Sequence, residues 1–460
     1  MMTPFSRLKQ HSMNTQKAYV RTYGCQMNEH DTFRMKDVLE RAGYVITETP
    51  ADAHLILVNT CSVRHNPENK VYSLLGTLRE RKLEDPEVII GVGGCVAQQE
   101  GAHILAREKA VDLVFGPDNL FRLPELIAQV KAGARVCDTA WMPREGKIQN
   151  FIPEEYVERG HVDGIKAYVA ITKGCNNGCT FCIVPTTRGR EVSREPENIL
   201  REVHNLVEKG AKEIWLLGQN VNSYRAQKDY RFYELLDAVA QVPGLARVRF
   251  TSPHPKDWNN ALSGLMASRK TICNHLHLPF QAGSDRILQL MRRNHRLEDY
   301  LDKVRYLQRA VPGVELTTDL IVGFPTETED DFEQTLYCLR EVRFSQLFPF
   351  KYSPRPGTDA ASMPDDVPRE VKEERLARVI ALQEEISTAK QQELVGTTQE
   401  VLFDGAHTRL RHVMNGRTQG YRPIMVPSHT LEVGDLAEVR VTGYRSHWLE
   451  GECLETAVCR

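Results

Sequence analysis

The 460-residue chain carries 59 basic and 61 acidic side chains, a formal net charge of -2, and 41% hydrophobic residues. This make-up is that of an ordinary soluble protein with room for two to four domains; it excludes a globally basic nucleic-acid binder, so such a partner must be met by local patches. There is no run of eighteen apolar residues, which excludes an apolar membrane span, and eleven widely spaced cysteines exclude a disulfide scaffold and point to a reducing cytoplasm with metal ligands among them.

Residues 1–17 contain Arg7, Lys9 and Lys17 but no apolar core, and read as a flexible tail, not a secretory signal. Met13 is an alternative start, and a short mitochondrial presequence an alternative use of the tail. From 18 to 135, apolar runs (Ala18–Tyr23, Leu55–Val58, Val88–Val92, Val111–Phe115) alternate with helical patterns (Asp31–Ala42, Glu68–Arg81, Gln98–Lys109, Leu120–Lys131). This rhythm predicts an open parallel α/β sheet covered by helices. Cys25, Cys61 and Cys95 each stand just past the C-terminal end of an expected strand. In parallel sheets those ends share one edge, where ligands bind. The three thiols are therefore expected to converge, although each alone would suit an ordinary half-buried cysteine.

Residues 136–165 lose periodicity, contain Pro143, Pro153, Gly146, Gly160 and Gly164, and read as a linker. A second α/β domain is expected over 166–365. Its strands are Ala167–Thr172, Glu213–Leu217, Arg247–Thr251, His275–Pro279, Val314–Val322 and Gln346–Tyr352, with helical patterns between. Six strands with crossovers predict a partial (βα)6 barrel. Cys175, Cys179 and Cys182 follow its first strand in Cys-x3-Cys-x2-Cys spacing. Soft thiolates select zinc, copper(I) or iron–sulfur clusters, and zinc usually wants a second ligand pair. No such pair lies nearby, so a cluster with one open iron is favoured for both trios. The other strand ends carry Gly218-Gln219-Asn220, Thr251-Ser252-Pro253-His254, Gln281 to Ser284, and Asp319, where a cofactor would be gripped.

Residues 366–395 predict a connecting amphipathic helix with a solvated polar face. From 396 to 460, short β-rich runs separated by Gly, Pro and Asp predict a small antiparallel β-barrel. Residues 406–422 hold His407, Arg409, Arg411, His412, Arg417 and Arg422 with no acidic residue, and Tyr421 and Tyr444 offer stacking faces. Basic groups with interleaved aromatics suit structured or single-stranded RNA.

The pattern Cys-x3-Cys-x-aromatic-Cys resembles the radical S-adenosylmethionine (radical SAM) superfamily, with Phe181 as the aromatic. Over nearly the whole chain after the tail, further stretches are similar to the tRNA methylthiotransferase family: YGCQMNEHD (23–31), NTCSVR (59–64), GGCVAQQ (93–99), KGCNNGCTFCIVPTTRGREVSR (173–194), LLGQNVNSY (216–224), RFTSPHP (249–255), HLPFQAGSD (277–285), TDLIVGFPTET (318–328) and FKYSPRPGTDA (350–360). QMN after Cys25, SVR after Cys61 and LLGQNVNSY resemble the branch that makes 2-methylthio-N6-isopentenyladenosine next to the anticodon (position 37). The chain departs from that pattern at His65-Asn66-Pro67 and at Pro253-His254-Pro255.

The resemblance implies two 4Fe-4S clusters with three cysteines each, one on Cys175, Cys179 and Cys182, the other on Cys25, Cys61 and Cys95. It implies two molecules of SAM per product and a TRAM-like barrel that grips the tRNA anticodon stem-loop. The clusters and SAM would carry the chemistry, with no side chain assigned as catalytic. Phe181 is expected near the adenine of SAM and Gly218, Gln219 and Asn220 near its methionine part; Gln281, Ser284 and Asp319 are candidates for ribose or carboxylate contacts. Arg188 and Arg190 are candidates for substrate phosphate or SAM carboxylate, and Arg409, Arg411 and Arg417 for tRNA. An electron donor and a sulfur donor are required, and a cytoplasmic monomer without membrane contact is expected. Rival readings are a methylthiotransferase for threonylcarbamoyl-adenosine or a ribosomal-protein aspartate, and a non-catalytic tRNA-binding iron–sulfur protein.

Overall fold

The apolar runs of the first 135 residues form neighbouring strands of one sheet. The computed structural model describes residues 16–62, 65–144, 146–227 and 230–459, without the side chains of 65–70 and 455–459. Most of the expected tail, Val63 and Arg64 of the NTCSVR stretch, and the His65-Asn66-Pro67 side chains lie outside the described residues. The chain forms two compact units, Met1–Met142 and Pro143–Arg460.

The first unit runs β1 (Lys17–Thr22), α1 (Gln26–Arg41), β2 (Val45–Ile46), β3 (Leu55–Thr60), α2 (His65–Glu84), β4 (Ile89–Gly94), α3 (Cys95–Glu100), α4 (Ala102–Arg107), β5 (Leu113–Phe115), α5 (Leu123–Lys131) and β6 (Val136–Asp138). The strands lie in the order β2-β1-β3-β4-β5-β6, all parallel. Every residue of β3 and β4 is buried, as expected of inner parallel strands covered on both faces. Two details differ from the sequence reading. The expected linker begins as an edge strand: Val136 is buried and its N–H bonds Asp112 O at 2.8 Å. A three-residue strand is too short to show a period. The expected helix Gln98–Lys109 is split into α3 and α4 at Gly101, whose φ of 51° and ψ of -127° take it out of the helix.

In the second unit, Lys166–Ala170, Glu213–Leu217 and Arg247–Phe250 are parallel neighbours, as are His275–His277, Glu315–Val322 and Gln346–Lys351. A parallel bridge between Val248 and Ile272 joins the two sets. The six strands thus follow the predicted positions and make an open barrel, with helices such as Pro196–Glu208 and Glu329–Val342 outside. Its core is one continuous cluster from Val169 and Leu216 through Leu278 and Leu320 to Phe344.

The connecting helix, Arg369–Leu394, is not solvated along its whole polar face. Lys372 and Arg375 are buried, and Arg375 pairs with Glu327 at 2.9 Å and Glu329 at 3.3 Å. A side chain's burial depends on what packs opposite it, which helical period alone does not carry. The last five strands, Thr398–Ala406, Val413–Thr418, Pro423–Pro427, Leu436–Arg445 and Trp448–Cys459, close a barrel. It is antiparallel except where Ile424 and Met425 run parallel to Leu449 and Glu450. Among the described residues no helix is long and apolar enough to cross a membrane.

The barrel is seated on the strands of its own unit. Arg249 donates to Glu213 at 2.8 Å and to the carbonyls of Thr418 and Gln419, with all of its side chain buried. Burial alone would raise the Glu213 carboxyl, but the charge and hydrogen bond of Arg249 outweigh it and hold it below the usual range. Tyr421 packs edge-on to Trp215 at 5.1 Å and under the Arg249 guanidinium at 4.7 Å.

Candidate functional site

The first candidate centre is assembled by sheet register. In β1 and β3, Thr22 pairs with Asn59; in β3 and β4, Thr60 pairs with Gly94. Cys25 follows the end of β1 by three residues, and Cys61 and Cys95 directly follow β3 and β4, so all three stand at the C-terminal edge of neighbouring parallel strands. Gly24 shows how close the first two loops come. A Cβ there would stand 2.3 Å from Cys61 Cβ and 3.0 Å from its Sγ, and φ is 138°, so only glycine fits. A buried asparagine pair ties the loops together. Asn28 donates to Thr60 O at 2.7 Å and Asn59 Oδ1 at 3.2 Å, while Asn59 donates to Asn28 O at 2.8 Å and Thr32 Oγ1 at 3.0 Å. Cys25 Sγ lies 3.5 Å from Asn28 Oδ1. Cys25 caps α1, whose positive end favours negative charge on a thiolate. Cys25 is exposed whereas Cys61 and Cys95 are 2% and 4% exposed.

The second candidate centre is a single loop after Thr172–Lys173. Gly174 has φ 82°, and a Cβ there would meet Arg190 O at 2.3 Å, so only glycine lets the loop turn back under the 188–190 segment. Cys175 N bonds Gly189 O at 3.1 Å, Cys182 N bonds Cys179 O at 3.1 Å, and Thr180 N and Oγ1 bond Met291 O and Leu290 O. Burial pushes the Cys182 thiol up to about 12; the charges of Cys179 and Cys175 add to this, while the Val184 N–H and Arg293 oppose it. Burial also raises Cys175, partly offset by the Asn177 N–H on its sulfur at 3.4 Å. Cys175 thus feels the charge of Cys179, and Cys182 that of Cys179 and Cys175, so a bound cation would favour the thiolates of Cys175 and Cys182. Among the described residues no three His, Cys, Asp or Glu side chains converge on a single-ion position. A cubane cluster does not ask for that, since each thiolate takes a different iron corner.

Around this loop stand buried polar atoms with no partner among the described residues: Thr172 Oγ1, Asn220 Oδ1 and Arg293 Nε. Such atoms at strand ends are what a polar cofactor would satisfy, so the residues fit a cluster with SAM beside it. The expected contacts divide. Asn220 donates to Asp257 at 2.9 Å and keeps its oxygen available, and Gly218 is so close to Thr172 that a Cβ would stand 2.0 Å from its hydroxyl. Phe181 is half-buried against the small core of Ala282, Met291 and Tyr352. Gln219 is committed to the loop itself, accepting from Gly174 N at 2.5 Å. Ser284 is a helix cap bonded to Ile287 N and donates to Asp331 at 2.5 Å, so its hydroxyl has structural partners. Gln281 continues the ladder beside Leu320 with φ 71°, a strained value for a non-glycine residue. Asp319 is paired with His277 at 3.2 Å. Arg188 is buried and Arg190 is exposed.

Residues 169–338 match the radical SAM superfamily, residues 17–116 the uncharacterized protein family UPF0004, and residues 392–454 the TRAM domain. The chain is 42% identical over 97% of its length to the "tRNA-2-methylthio-N(6)-dimethylallyladenosine synthase" of Anoxybacillus flavithermus, covering 84% of that protein. It is 43% identical over 93% of its length to the protein of the same name from Pelotomaculum thermopropionicum, covering 96% of it.

The chain belongs to the tRNA-2-methylthio-N6-dimethylallyladenosine synthase family.

A solved radical S-adenosylmethionine methyltransferase from Kitasatospora setae, TsrM, with cobalamin and a [4Fe-4S] cluster bound, has the same fold over 75% of this chain and 74% of its own, at 15% identity and TM-score 0.54. As a radical SAM member of this family, the chain uses an iron–sulfur cluster and SAM. Its TRAM barrel carries the basic turn expected to meet RNA, but the residues there separate. Arg409 and Arg411 are exposed. Arg417 pairs with Asp404 at 3.4 Å and lies over Tyr421, Arg422 is buried on Glu315 at 3.2 Å, and Tyr444 packs on the barrel core. Tyr421 is likewise used inside the unit and offers no stacking face. A sequence window shows no acidic residue near these arginines because Asp404 and Glu315 come from other strands.

The sequence reading singled out neither the buried Arg293, which donates to Cys179 Sγ at 3.4 Å, nor His277 and His295. His254 and His295 are neutral rings 6.0 Å apart; burial, with Arg293 beside them, pushes them down to about 2 and about 4. The only sequence signal was the pair of polar segments 252–254 and 292–296 following apolar elements.

Proposed function

We propose that this chain inserts a methylthio group at C2 of N6-dimethylallyladenosine (isopentenyladenosine) next to the anticodon of tRNA, with one cluster on each cysteine trio. The observation that supports it is the strand register that puts the C-terminal ends of β1, β3 and β4, which Cys25, Cys61 and Cys95 follow, on one sheet edge, in a chain that also holds the Cys175 loop. The bond to be broken, an aromatic C–H, has no route by acid–base catalysis near neutrality. When bound, the cluster and SAM would supply a 5′-deoxyadenosyl radical for that purpose.

The protein's share is holding and orienting. Cys175, Cys179 and Cys182 would take three iron corners, and the fourth is left for SAM. Asn220 Oδ1 and Thr172 Oγ1 are buried polar atoms without a partner that SAM would satisfy, and Phe181 would give its adenine an apolar wall. Cys25, Cys61 and Cys95 would hold the second cluster, with Asn28 and Asn59 fixing the loops. A second SAM and a sulfur donor would be needed for the methylthio group, and an electron donor for the reducing equivalents. Arg409 and Arg411 would grip the phosphates of the anticodon stem-loop, in the cytoplasm where tRNA is modified.

The test is mass spectrometry of tRNA nucleosides from a strain lacking this gene, before and after complementation. Loss and recovery of the methylthio group on isopentenyladenosine is the expected result. An unchanged profile would reject the assignment, and loss confined to threonylcarbamoyl-adenosine would move it to the other branch.

A further inference from the structure

Arg293 is 6% exposed, and the chain bends to keep it so. Its neighbours Arg292 and Asn294 both adopt left-handed backbone, φ 55° and 54°, which non-glycine residues rarely do. The same turn grips the cysteine loop through Thr180, whose N–H and hydroxyl bond the carbonyls of Met291 and Leu290. The guanidinium donates to Cys179 Sγ at 3.4 Å and to Pro279 O at 2.8 Å, while Nε has no partner. No carboxylate pairs with it among the described residues. The titratable groups around it are Cys179, which it touches, the neutral rings of His254 and His295, Lys256 and Lys303, which add positive charge, and Asp285, whose charge acts on His295 and which makes no ion pair with Arg293. A buried guanidinium without a counter-ion is costly. Negative charge placed on the cysteine sulfurs would meet that need.

We propose that Arg293 is a positioning residue for the radical SAM cluster, aiming an N–H at Cys179 Sγ and supplying buried positive charge that favours the reduced cluster. This rests on Cys175, Cys179 and Cys182 as cluster ligands. Reduction adds one electron and one negative charge, which a fixed donor and a fixed cation stabilise; hydrogen bonds to cluster sulfurs are a recognised control of reduction potential. A hydrogen bond to a charged group is large enough to change the reduced-to-oxidised ratio about tenfold.

The experiment uses the full chain with Cys25, Cys61 and Cys95 changed to Ala, so that a single cluster reports. Its reduction is followed by electron paramagnetic resonance during a redox titration, with iron and sulfide content measured alongside. Arg293→Met should lower the reduced-to-oxidised ratio about tenfold at the poise that half-reduces the parent, about 59 mV for a one-electron couple. Arg293→Lys, which keeps the charge but loses the fork, should shift it less and in the same direction. If the Met variant does not retain iron, the Lys variant carries the measurement. Unchanged potentials in iron-loaded variants would overturn the inference. No iron–sulfur signal in the parent would overturn the ligand assignment itself.

Discussion

The two cysteine trios are made by opposite means. Cys175, Cys179 and Cys182 sit within eight consecutive residues of one loop, and their grouping is written in spacing. Cys25, Cys61 and Cys95 are thirty-six and thirty-four residues apart and share one sheet edge only because three parallel strands run in near-matching register. The loop trio depends on its turn, held by Gly174, Gln219 and Thr180. The sheet trio depends on the whole first sheet and on the Asn28–Asn59 pair between its loops.

The strongest break of this comparison is Cys179→Ala. It should abolish both SAM cleavage and methylthiolation, read by chromatography of 5′-deoxyadenosine and of modified nucleosides. Cys25→Ala should abolish the methylthio product yet leave SAM cleavage running uncoupled; full product from this variant would remove the sheet trio from the reaction. Asn59→Ala should act on the sheet trio alone. It strips buried hydrogen bonds worth about 2 kcal/mol and should lower iron bound at Cys25, Cys61 and Cys95 while leaving the loop trio loaded. Urea melts and iron analysis check both halves.

A smaller effect belongs to the loop trio's surroundings. His254 and His295 have folded pKa values of about 2 and about 4, below the unfolded value of about 6.5. The unfolded chain therefore takes up protons first as pH falls. The stability these rings allow is fully present above about pH 6.5 and is lost as pH drops from there toward about 4 for His295 and about 2 for His254. Thermal melts across that window should show a shallower acid loss for His295→Asn than for the parent. The smallest effect is on RNA: Arg409→Ala with Arg411→Ala should weaken tRNA binding a few-fold and flatten its salt dependence by about one to two phosphate contacts. A filter-binding series in salt reads it.

What was legible in the sequence follows the same divide. The six barrel strands and the inner strands of the first sheet are long apolar runs, and they stand where the pattern puts them. Val45–Ile46 and Val136–Asp138 are too short to carry a period and were not seen. Cysteine positions were legible because spacing and strand ends are local facts. The partners of Ser284, Gln219, Arg417 and Tyr421 were not, because Asp331, Gly174, Asp404 and Trp215 are brought in by tertiary folding. Arg293 was hidden for the same reason: only the folded turn brings its guanidinium to Cys179.

The most direct measurement is iron and sulfide content after anaerobic purification of three chains: the parent, one with Cys25, Cys61 and Cys95 changed to Ala, and one with Cys175, Cys179 and Cys182 changed to Ala. Two independent trios require each triple variant to keep about half of the parent's iron and sulfide. If either triple variant keeps all of it, that trio holds no cluster and the account of two centres is contradicted.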